Sequence, residues 1–235
     1  MFINDGDTVC IVGGGPGGSA CAMVLLQEAR KLDRKIRVVL IEHKIFSEHR
    51  HYNQCIGVLS PPFEDILKND LDLTLPDNLV LDNMEGYCLH SDLLSLDLVG
   101  KESGRSVSVT RSNFDAFMLE EARKAGAEIV HNRVTAIEVN SDGVVIYTEG
   151  DNFKSAVVVG AFGLDDGTCR IFEQGTPYRQ PDFLNTVITR FYPGKEFMQS
   201  MGSIIHAFLL SHPGLEFECS NLDLFRISVL EFRIS

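Results

Sequence analysis

The sequence is poor in cationic residues, and this deficit argues against one large class of partners. It contains 21 Lys and Arg against 33 Asp and Glu, which gives a formal net charge of −12. A protein that binds nucleic acid neutralises phosphates with Lys and Arg. We therefore expect no nucleic-acid partner.

Long apolar runs are also lacking. No uninterrupted apolar segment approaches the length of about 18 residues that suggests a transmembrane helix. Residues 1–7 have neither the basic region nor the apolar core of a signal peptide. We therefore expect a cytoplasmic protein of unknown oligomeric state. Peripheral contact with a membrane stays open, because a substrate could be lipid.

The cysteines and histidines lack the spacing of a metal site. No C-x-x-C pair occurs, and no Cys/His spacing resembles that of zinc proteins. We expect reduced thiols and no metal. His43, His49 and His51 are interpreted as part of a solvated loop, and His206 as an ordinary surface or core histidine.

The segment from Thr8 to Glu42 has the organisation of a nucleotide-binding unit. An apolar run meets a glycine cluster, and a helical pattern and a second apolar run follow. Gly13, Gly15 and Gly18 fill the positions of G-x-G-x-x-G, which allow a tight turn, close approach of a pyrophosphate and close helix–strand packing. Free N–H groups and the helix dipole favour an anion at such a helix start. A turn without a ligand is the weaker interpretation, because all parts of the unit occur in order.

Glu42 ends the second apolar run, where the acid that binds a ribose hydroxyl is expected. A carboxylate at this position would repel a 2′-phosphate. The sequence therefore favours FAD or NAD over NADP.

The remainder of the chain alternates between helical and strand patterns. A short helix is predicted after Pro61-Pro62, and a second one begins near Arg111 and ends at Gly126. The Asp142-Gly143 pair predicts a hairpin. Strands are predicted within residues 87–109, at 128–130, 134–139, 144–148, 156–161, 184–192 and 204–210. The run at 156–161 does not alternate, and we interpret it as a strand buried on both faces.

In their order along the chain, four passages resemble the FAD-dependent reductases and hydroxylases with the p-hydroxybenzoate-hydroxylase-like fold. Among these families the geranylgeranyl reductases are the most similar. Residues 12–19 resemble the family's pyrophosphate loop, and residues 53–60 resemble a Cys-Gly turn. Residues 110–127 resemble the Arg-x-x-Phe-Asp helix with its following strand, and residues 157–163 resemble a Gly-Ala-Asp-Gly motif. The resemblance covers roughly residues 8–165 well and residues 176–217 faintly.

The resemblance implies an α/β fold: a Rossmann-like, three-layer FAD-binding domain with a parallel sheet and a β-meander, interleaved with part of a sheet-rich substrate domain. The predicted boundaries are 1–48 and 106–165 for the FAD-binding domain, and 49–105 and 166–235 for the partial substrate domain. The implied cofactor is FAD, with NAD(P)H as a candidate electron donor. Cys55 is implied beside the flavin, and a buried, inert thiol is the alternative. The implied cofactor-binding residues are Gly13, Gly15, Pro16, Gly17, Gly18, Glu42, Arg111 and Val134.

Two departures from the family pattern bear on the reaction. Phe162 stands where the family has an aspartate, which weakens a hydroxylase-like NADPH reaction. The sequence also ends before the family's second flavin motif. We expect a reductase of a small hydrophobic, isoprenoid-like substrate. The alternatives are an FAD-dependent monooxygenase and a truncated FAD-binding module without turnover.

Overall fold

The computed structural model describes residues 3–46, 55, 57–91, 93–99, 105–182, 194, 196–197, 200, 202–208 and 228–229. The helices of this part are α1 (Pro16–Lys31), α2 (Phe63–Leu71), α3 (Arg111–Lys124) and α4 (Asp166–Gly175). Its strands are β1 (Thr8–Val12), β2 (Arg37–Ile41), β3 (Val58–Leu59), β4 (Val80–Met84), β5 (Gly86–His90), β6 (Ser95–Val99), β7 (Ser106–Val109), β8 (Glu128–Val130), β9 (Val134–Asn140), β10 (Gly143–Thr148), β11 (Phe153–Ser155), β12 (Val157–Gly160), β13 (Ile204–Phe208) and β14 (Ser228–Val229).

The chain forms two compact units, each built from separated segments. Unit 1 comprises Met1–Asn53, Asp70–Asp72 and Arg111–Leu184, and unit 2 comprises Gln54–Asn69, Leu73–Thr110 and Asn185–Ser235. Unit 1 thus extends past the predicted boundary at residue 165. Helix α4 belongs to it because that helix packs against β9.

A parallel sheet with the strand order β12-β1-β2-β8 is the centre of unit 1. In this sheet Val9 pairs with Val38 on one side and with Val157 on the other. Four of the five residues of β1 and of β2 are buried, as expected for central strands covered on both faces.

The interpretation of residues 156–161 as a strand buried on both faces was wrong. Strand β12 lies at the edge of the sheet, where three of its residues are half-buried and Gly160 is exposed. An unalternating apolar run favours burial of both faces of a strand, but how much of each face is covered depends on packing by distant parts of the chain.

Helix α1 follows β1 directly and packs against α3. It begins with Pro16, whose fixed φ suits the first helical position. Arg30 and Lys31 lie in its last turn, where cations complement the helix dipole.

A three-stranded antiparallel meander of β9, β10 and β11 completes unit 1 together with α4. The side chains between these elements and the parallel sheet form one apolar core. Its buried members are Cys10, Val12, Val39, Ile41, Val134, Ile137, Val144, Ile146 and Phe172.

Unit 2 contains a four-stranded sheet with the order β14-β13-β5-β6 and a three-stranded sheet with the order β3-β7-β4. In the first of them β13 runs parallel to β5, and β6 runs antiparallel to β5. Every residue of β6 is exposed.

Some sequence predictions fall outside the described residues: the strand at 184–192, residues 209–210 of the strand at 204–210, and His49 and His51. Within the described residues, no helix combines the length and apolarity needed to cross a bilayer.

Candidate functional site

The turn after β1 places Gly13 where only glycine fits. Its φ is +109°, and a Cβ there would overlap the backbone carbonyl of Ala161. The Gly13 N–H donates to the Ile41 carbonyl oxygen at 2.9 Å, which fastens the turn to the end of β2. A Cβ on Gly18 would in turn overlap the Gly13 carbonyl oxygen, so both glycines are needed for close packing of α1 on β1.

Gly15 and Gly17 have the opposite surroundings, because a Cβ on either residue would meet no atom within 4 Å. Gly15 is the N-cap of α1 and provides no side-chain cap, and the first turn of the helix contains no acidic residue. There is thus open space beside the start of α1, where the first N–H groups of a helix have no partner within the helix and can bind a phosphate. Pro16 begins the helix between these two glycines.

Glu42 connects the end of β2 to the glycine turn. Its side chain is buried, and its Oε2 accepts a hydrogen bond from the Gly14 N–H at 2.7 Å. Its Oε1 accepts one from the Lys44 N–H at 2.8 Å. An ionised carboxylate can accept about four hydrogen bonds, so Glu42 keeps acceptor capacity for a ligand hydroxyl.

A cleft opens beside Glu42 at the carboxyl ends of β1, β2 and β8, which is where ligands of open parallel sheets bind. It brings together three of the predicted residues, Gly13, Glu42 and Val134. The full lining is Val12, Gly13, Ile41, Glu42, His43, Lys44, Asn132, Val134, Phe162, Asp165 and Thr168.

Two ionisable groups in the cleft wall have shifted pKa values. Burial lowers the pKa of His43, and this effect exceeds the opposing one of the nearby Glu42 carboxylate. Burial alone would raise the pKa of Asp165. The Thr168 N–H and hydroxyl donate to its Oδ1 at 2.8 Å and 2.7 Å, however, and together with the nearby Lys44 ammonium they bring the pKa of Asp165 below its usual value. His43 is therefore neutral and Asp165 ionised near neutral pH.

Phe162 contributes an aromatic wall to this cleft. Its ring centroid lies 4.6 Å from that of Phe172 and 5.8 Å from that of Tyr178. Phe162 is thus anchored to the apolar core of unit 1, and it adds no charge to the cleft.

Arg111 and Cys55 are not among the residues that line the cleft in the described part of the chain. Arg111 donates from Nε and Nη2 to Asp115 Oδ1, at 3.1 Å and 3.0 Å, one helical turn away on α3. Cys55 belongs to unit 2 and is exposed, which does not match the alternative of a buried thiol. The predicted roles of both residues at a flavin stay predictions.

Sequence reasoning missed His43, Asn132, Asp165 and Thr168 as members of the cleft. Asp165 and Thr168 had a local signature, since an aspartate three residues before a threonine is typical of a helix N-cap. The other two follow β2 and β8, and only the pairing of those strands brings them together.

Comparison with known sequences finds relatives that match part of this chain. No family model matches it. Protein FixC of Escherichia coli K12 is 28% identical over 167 residues, which cover 66% of this chain and 36% of FixC. The flavin-dependent halogenase otaD of Aspergillus carbonarius is 31% identical over 147 residues, which cover 60% of this chain and 28% of the halogenase. The matched region is thus a minor part of each relative.

Comparison with solved structures decides the fold. A flavoprotein/dehydrogenase from Cytophaga hutchinsonii superposes with a TM-score of 0.63 at 16% identity, covering 86% of this chain and 50% of that one. A geranylgeranyl bacteriochlorophyll reductase-like protein from Thermoplasma acidophilum gives 0.58 at 18% identity, covering 88% and 51%. The fold is that of FAD-dependent flavoproteins.

This flavoprotein fold confirms the predicted α/β, Rossmann-like class. It does not single out one branch, because halogenases share it as well. The halogenase PltM, solved in complex with phloroglucinol and FAD, superposes with a TM-score of 0.54 at 19% identity over 70% of this chain and 36% of PltM. Membership of the geranylgeranyl reductases therefore stays a prediction.

Proposed function

We propose that unit 1 binds FAD, with the pyrophosphate at the start of α1 and the adenosine end in the cleft. One arrangement carries this proposal: the open N-terminus of α1 at Gly15 lies in the same turn as Gly14, whose N–H binds the buried Glu42 carboxylate. An anion site and a hydroxyl acceptor are thereby held together by a single turn.

The residues of unit 1 fit the parts of such a cofactor. The backbone N–H groups of Gly15 and Gly17 adjoin space that a phosphate can enter, and Pro16 between them has no N–H to donate. Glu42 would accept hydrogen bonds from ribose hydroxyls, and Val134 and Asn132 would form a wall for the adenine. When bound, the flavin supplies hydride and electron transfer, which protein side chains alone do not provide.

Glu42 also supports a choice between nucleotides. In NADP a phosphate is attached to the ribose hydroxyl that would otherwise donate a hydrogen bond to the Glu42 carboxylate. The two anions would repel each other. NAD has no such phosphate, so the charge of Glu42 alone does not separate NAD from FAD. The flavoprotein fold and the FAD complex of PltM favour FAD.

A titration of the purified chain with FAD, NAD⁺ and NADP⁺ tests the proposal. Saturable quenching of flavin fluorescence should appear with FAD, and NADP⁺ should not displace it. Tight binding of NAD⁺ with no binding of FAD would contradict the flavin assignment and leave only a general dinucleotide site.

For the whole protein we propose an oxidoreductase that reduces a small hydrophobic, isoprenoid-like substrate, with NAD(P)H as the candidate donor. This chain spans about half the length of the flavoprotein/dehydrogenase and of the reductase-like protein, so the activity is proposed for the protein of which unit 1 is the cofactor-binding part. Two observations support a reductase: the reductase-like neighbour covers 88% of the chain, and apolar Phe162 occupies the cleft wall.

A monooxygenase-type reaction is the second candidate, because flavin-dependent halogenases are among both the relatives and the structural neighbours. Anaerobic reduction of the flavin-loaded protein with dithionite, followed by prenyl substrates, separates the two. Product formed without oxygen supports the reductase. Product that requires air supports the monooxygenase.

A further inference from the structure

Three neighbouring strands of unit 2 place metal-ligating side chains in register. On β5, Cys88 pairs with His206 of β13 on one side and with Asp97 of β6 on the other. In the next row of the same face His90 pairs with Ser95. Paired residues, and residues two apart on a strand, project from the same face of a sheet. Cys88, His90, His206 and Asp97 therefore share one face.

The distances within this group, which we call the Cys-His cluster (Cys88, His90 and His206), are those of potential ligands. One donor atom from each residue lies within 4.8 Å of the other two. His90 Nε2 and His206 Nδ1 are 2.9 Å apart, and the two rings stack with their centroids 5.2 Å apart. Cys88 is buried and both imidazoles are half-buried.

Two neighbouring polar groups support the cluster from outside. Ser95 Oγ lies 2.9 Å from His90 Nδ1, and so it orients that ring with Nε2 directed at His206. Metal-ligating histidines characteristically bind a second polar group through their other nitrogen. Asp97 lies directly opposite Cys88 in the pairing of β5 with β6, so its side chain projects beside the thiol.

A purely structural interpretation accounts for part of this arrangement. One neutral imidazole can donate to the other, and the thiol can donate to Asp97, so the polar atoms are satisfied without a metal. That interpretation gives no reason why a thiol and two imidazole nitrogens converge from two strands, with a carboxylate opposite the thiol on a third. Thiolate, imidazole and carboxylate are the three kinds of donor that bind zinc in proteins.

We propose that Cys88, His90 and His206 bind a divalent transition metal of the zinc type, with Asp97 as the fourth ligand. Tetrahedral zinc with ordinary bond lengths separates two nitrogens by about 3.3 Å and sulfur from nitrogen by about 3.6 Å. The two imidazole nitrogens need to separate by only a few tenths of an ångström, and the Cys88 sulfur, which lies within 4.8 Å of both, needs to approach them by about 1 Å at most.

The charge and proton balance of this site is simple. The metal carries two positive charges, and the Cys88 thiolate and the Asp97 carboxylate carry one negative charge each, so the filled site is neutral. Binding releases the thiol proton to solvent. The proton between the two imidazoles moves from His206 Nδ1 to Nε2, the outer nitrogen of the same ring. His206 Nδ1 then has a lone pair for the metal.

Cobalt is the probe for this site, because tetrahedral Co²⁺ with a thiolate ligand absorbs in the visible and gives a sulfur-to-metal band in the near ultraviolet. Tag-free chain, stripped with a chelator, should take up one equivalent of Co²⁺ with both features, and one equivalent of Zn²⁺ should remove them.

Cys88→Ser should abolish the sulfur band, and His206→Gln should weaken binding by more than the roughly 10–100-fold cost of losing an outer-shell partner. Ser95→Ala should weaken binding by about 10-fold with the sulfur band intact, because Ser95 only orients His90.

Matched controls are Cys55→Ser and His131→Gln, which alter an exposed cysteine and an exposed histidine elsewhere. Both should bind Co²⁺ like the parent chain. Weak uptake without a sulfur band, or a band that persists in Cys88→Ser, would overturn the proposal. If Cys88→Ser does not fold, X-ray absorption of the zinc-loaded parent chain decides the matter: one sulfur with two imidazoles supports the site, and a shell without sulfur or without imidazole overturns it.

Metal binding in unit 2 does not depend on the proposed flavin site. Titrations with and without FAD, and in Gly15→Glu, should give the same metal affinity.

Discussion

Gly15 and Gly18 lie in one short turn, yet substitution should affect them in different ways. A side chain on Gly15 enters open space with ordinary backbone angles, so Gly15→Glu should fold normally and lose FAD, because its carboxylate occupies the phosphate position. Gly18→Ala should lower the free energy of unfolding, because its Cβ overlaps the Gly13 carbonyl. Flavin content and thermal unfolding of both variants are the measurements.

Gly167→Ala is the control for these glycine variants, since its Cβ would make only an ordinary contact with the Asp165 side chain. It should retain the flavin. If Gly15→Glu is purified with its full flavin content, the pyrophosphate does not bind at the start of α1.

Glu42 has a structural role that a sequence motif does not reveal. Glu42→Ala removes the acceptor of the Gly14 N–H as well as the proposed ribose contact. We expect FAD binding to weaken by ~1.5–3 kcal/mol, roughly 10- to 100-fold. Calorimetric titration measures this loss, and Glu128→Ala is a control at an exposed acid of the same sheet. An affinity equal to that of the parent chain would show that Glu42 does not contact the cofactor.

His43 should make the stability of unit 1 sensitive to mild acid. Its pKa in the folded chain lies below its ordinary value of 6.5, so the unfolded chain takes up the proton first as the pH falls. The free energy of unfolding should therefore decrease from about pH 6.5 down to the folded pKa, and be unaffected by this group above that window. Denaturant unfolding of His43→Gln should show a shallower decrease, whereas His131→Gln, at an exposed site, should follow the parent chain. Equal slopes for His43→Gln and the parent chain would refute this assignment.

At the scale of elements, α4 depends on its N-cap. Asp165 accepts hydrogen bonds from the Thr168 N–H and hydroxyl, so Asp165→Ala should cost about 1 kcal/mol of stability. Asp166→Ala removes the neighbouring exposed acid and leaves the cap in place, and it should cost a few tenths of that amount. Chemical denaturation near neutral pH compares the two. Equal losses would show that charge at the helix start, and not the cap, stabilises α4.

The elements differ in how far the sequence determines them. The β1–α1–β2 unit was predictable because its glycines, apolar runs and terminal acid follow one another locally. Helix α4 was missed because it is short and has few apolar residues, with Cys169 and Phe172 one turn apart. Its assignment to unit 1 depends on contact with β9, which no local pattern contains.

The same distinction applies to the sites. Gly13, Glu42 and Val134 could be named as site residues from motif and resemblance, and the structure brings them to one cleft. His43 and Asn132 join that cleft only because β2 pairs with β8. The Cys-His cluster is the extreme case, because parallel pairing of β5 with β13 creates it from residues far apart in sequence.

At the scale of the whole molecule, net charge should affect the rate of cofactor binding. The chain carries −12 and FAD is an anion, so long-range repulsion opposes their encounter. Raising the ionic strength from about 0.01 M to about 0.1 M shortens the screening length from about 30 Å to about 10 Å. Stopped-flow association of FAD should therefore become a few-fold faster. A rate that falls with salt would show that cations near the cleft, such as Lys44, dominate the field.

The pairing of β1 with β12 has a consequence for how the protein is made. Val9 leaves the ribosome well before its partner Val157, which follows only after all of β2 to β11. Until then one edge of β1 lacks its neighbour, and the apolar surface it shares with that strand is exposed to other chains. Long-range parallel pairing of this kind is slow and prone to aggregation. Nascent chains halted before residue 157 should therefore be clients of chaperones, and chains released after β12 should not.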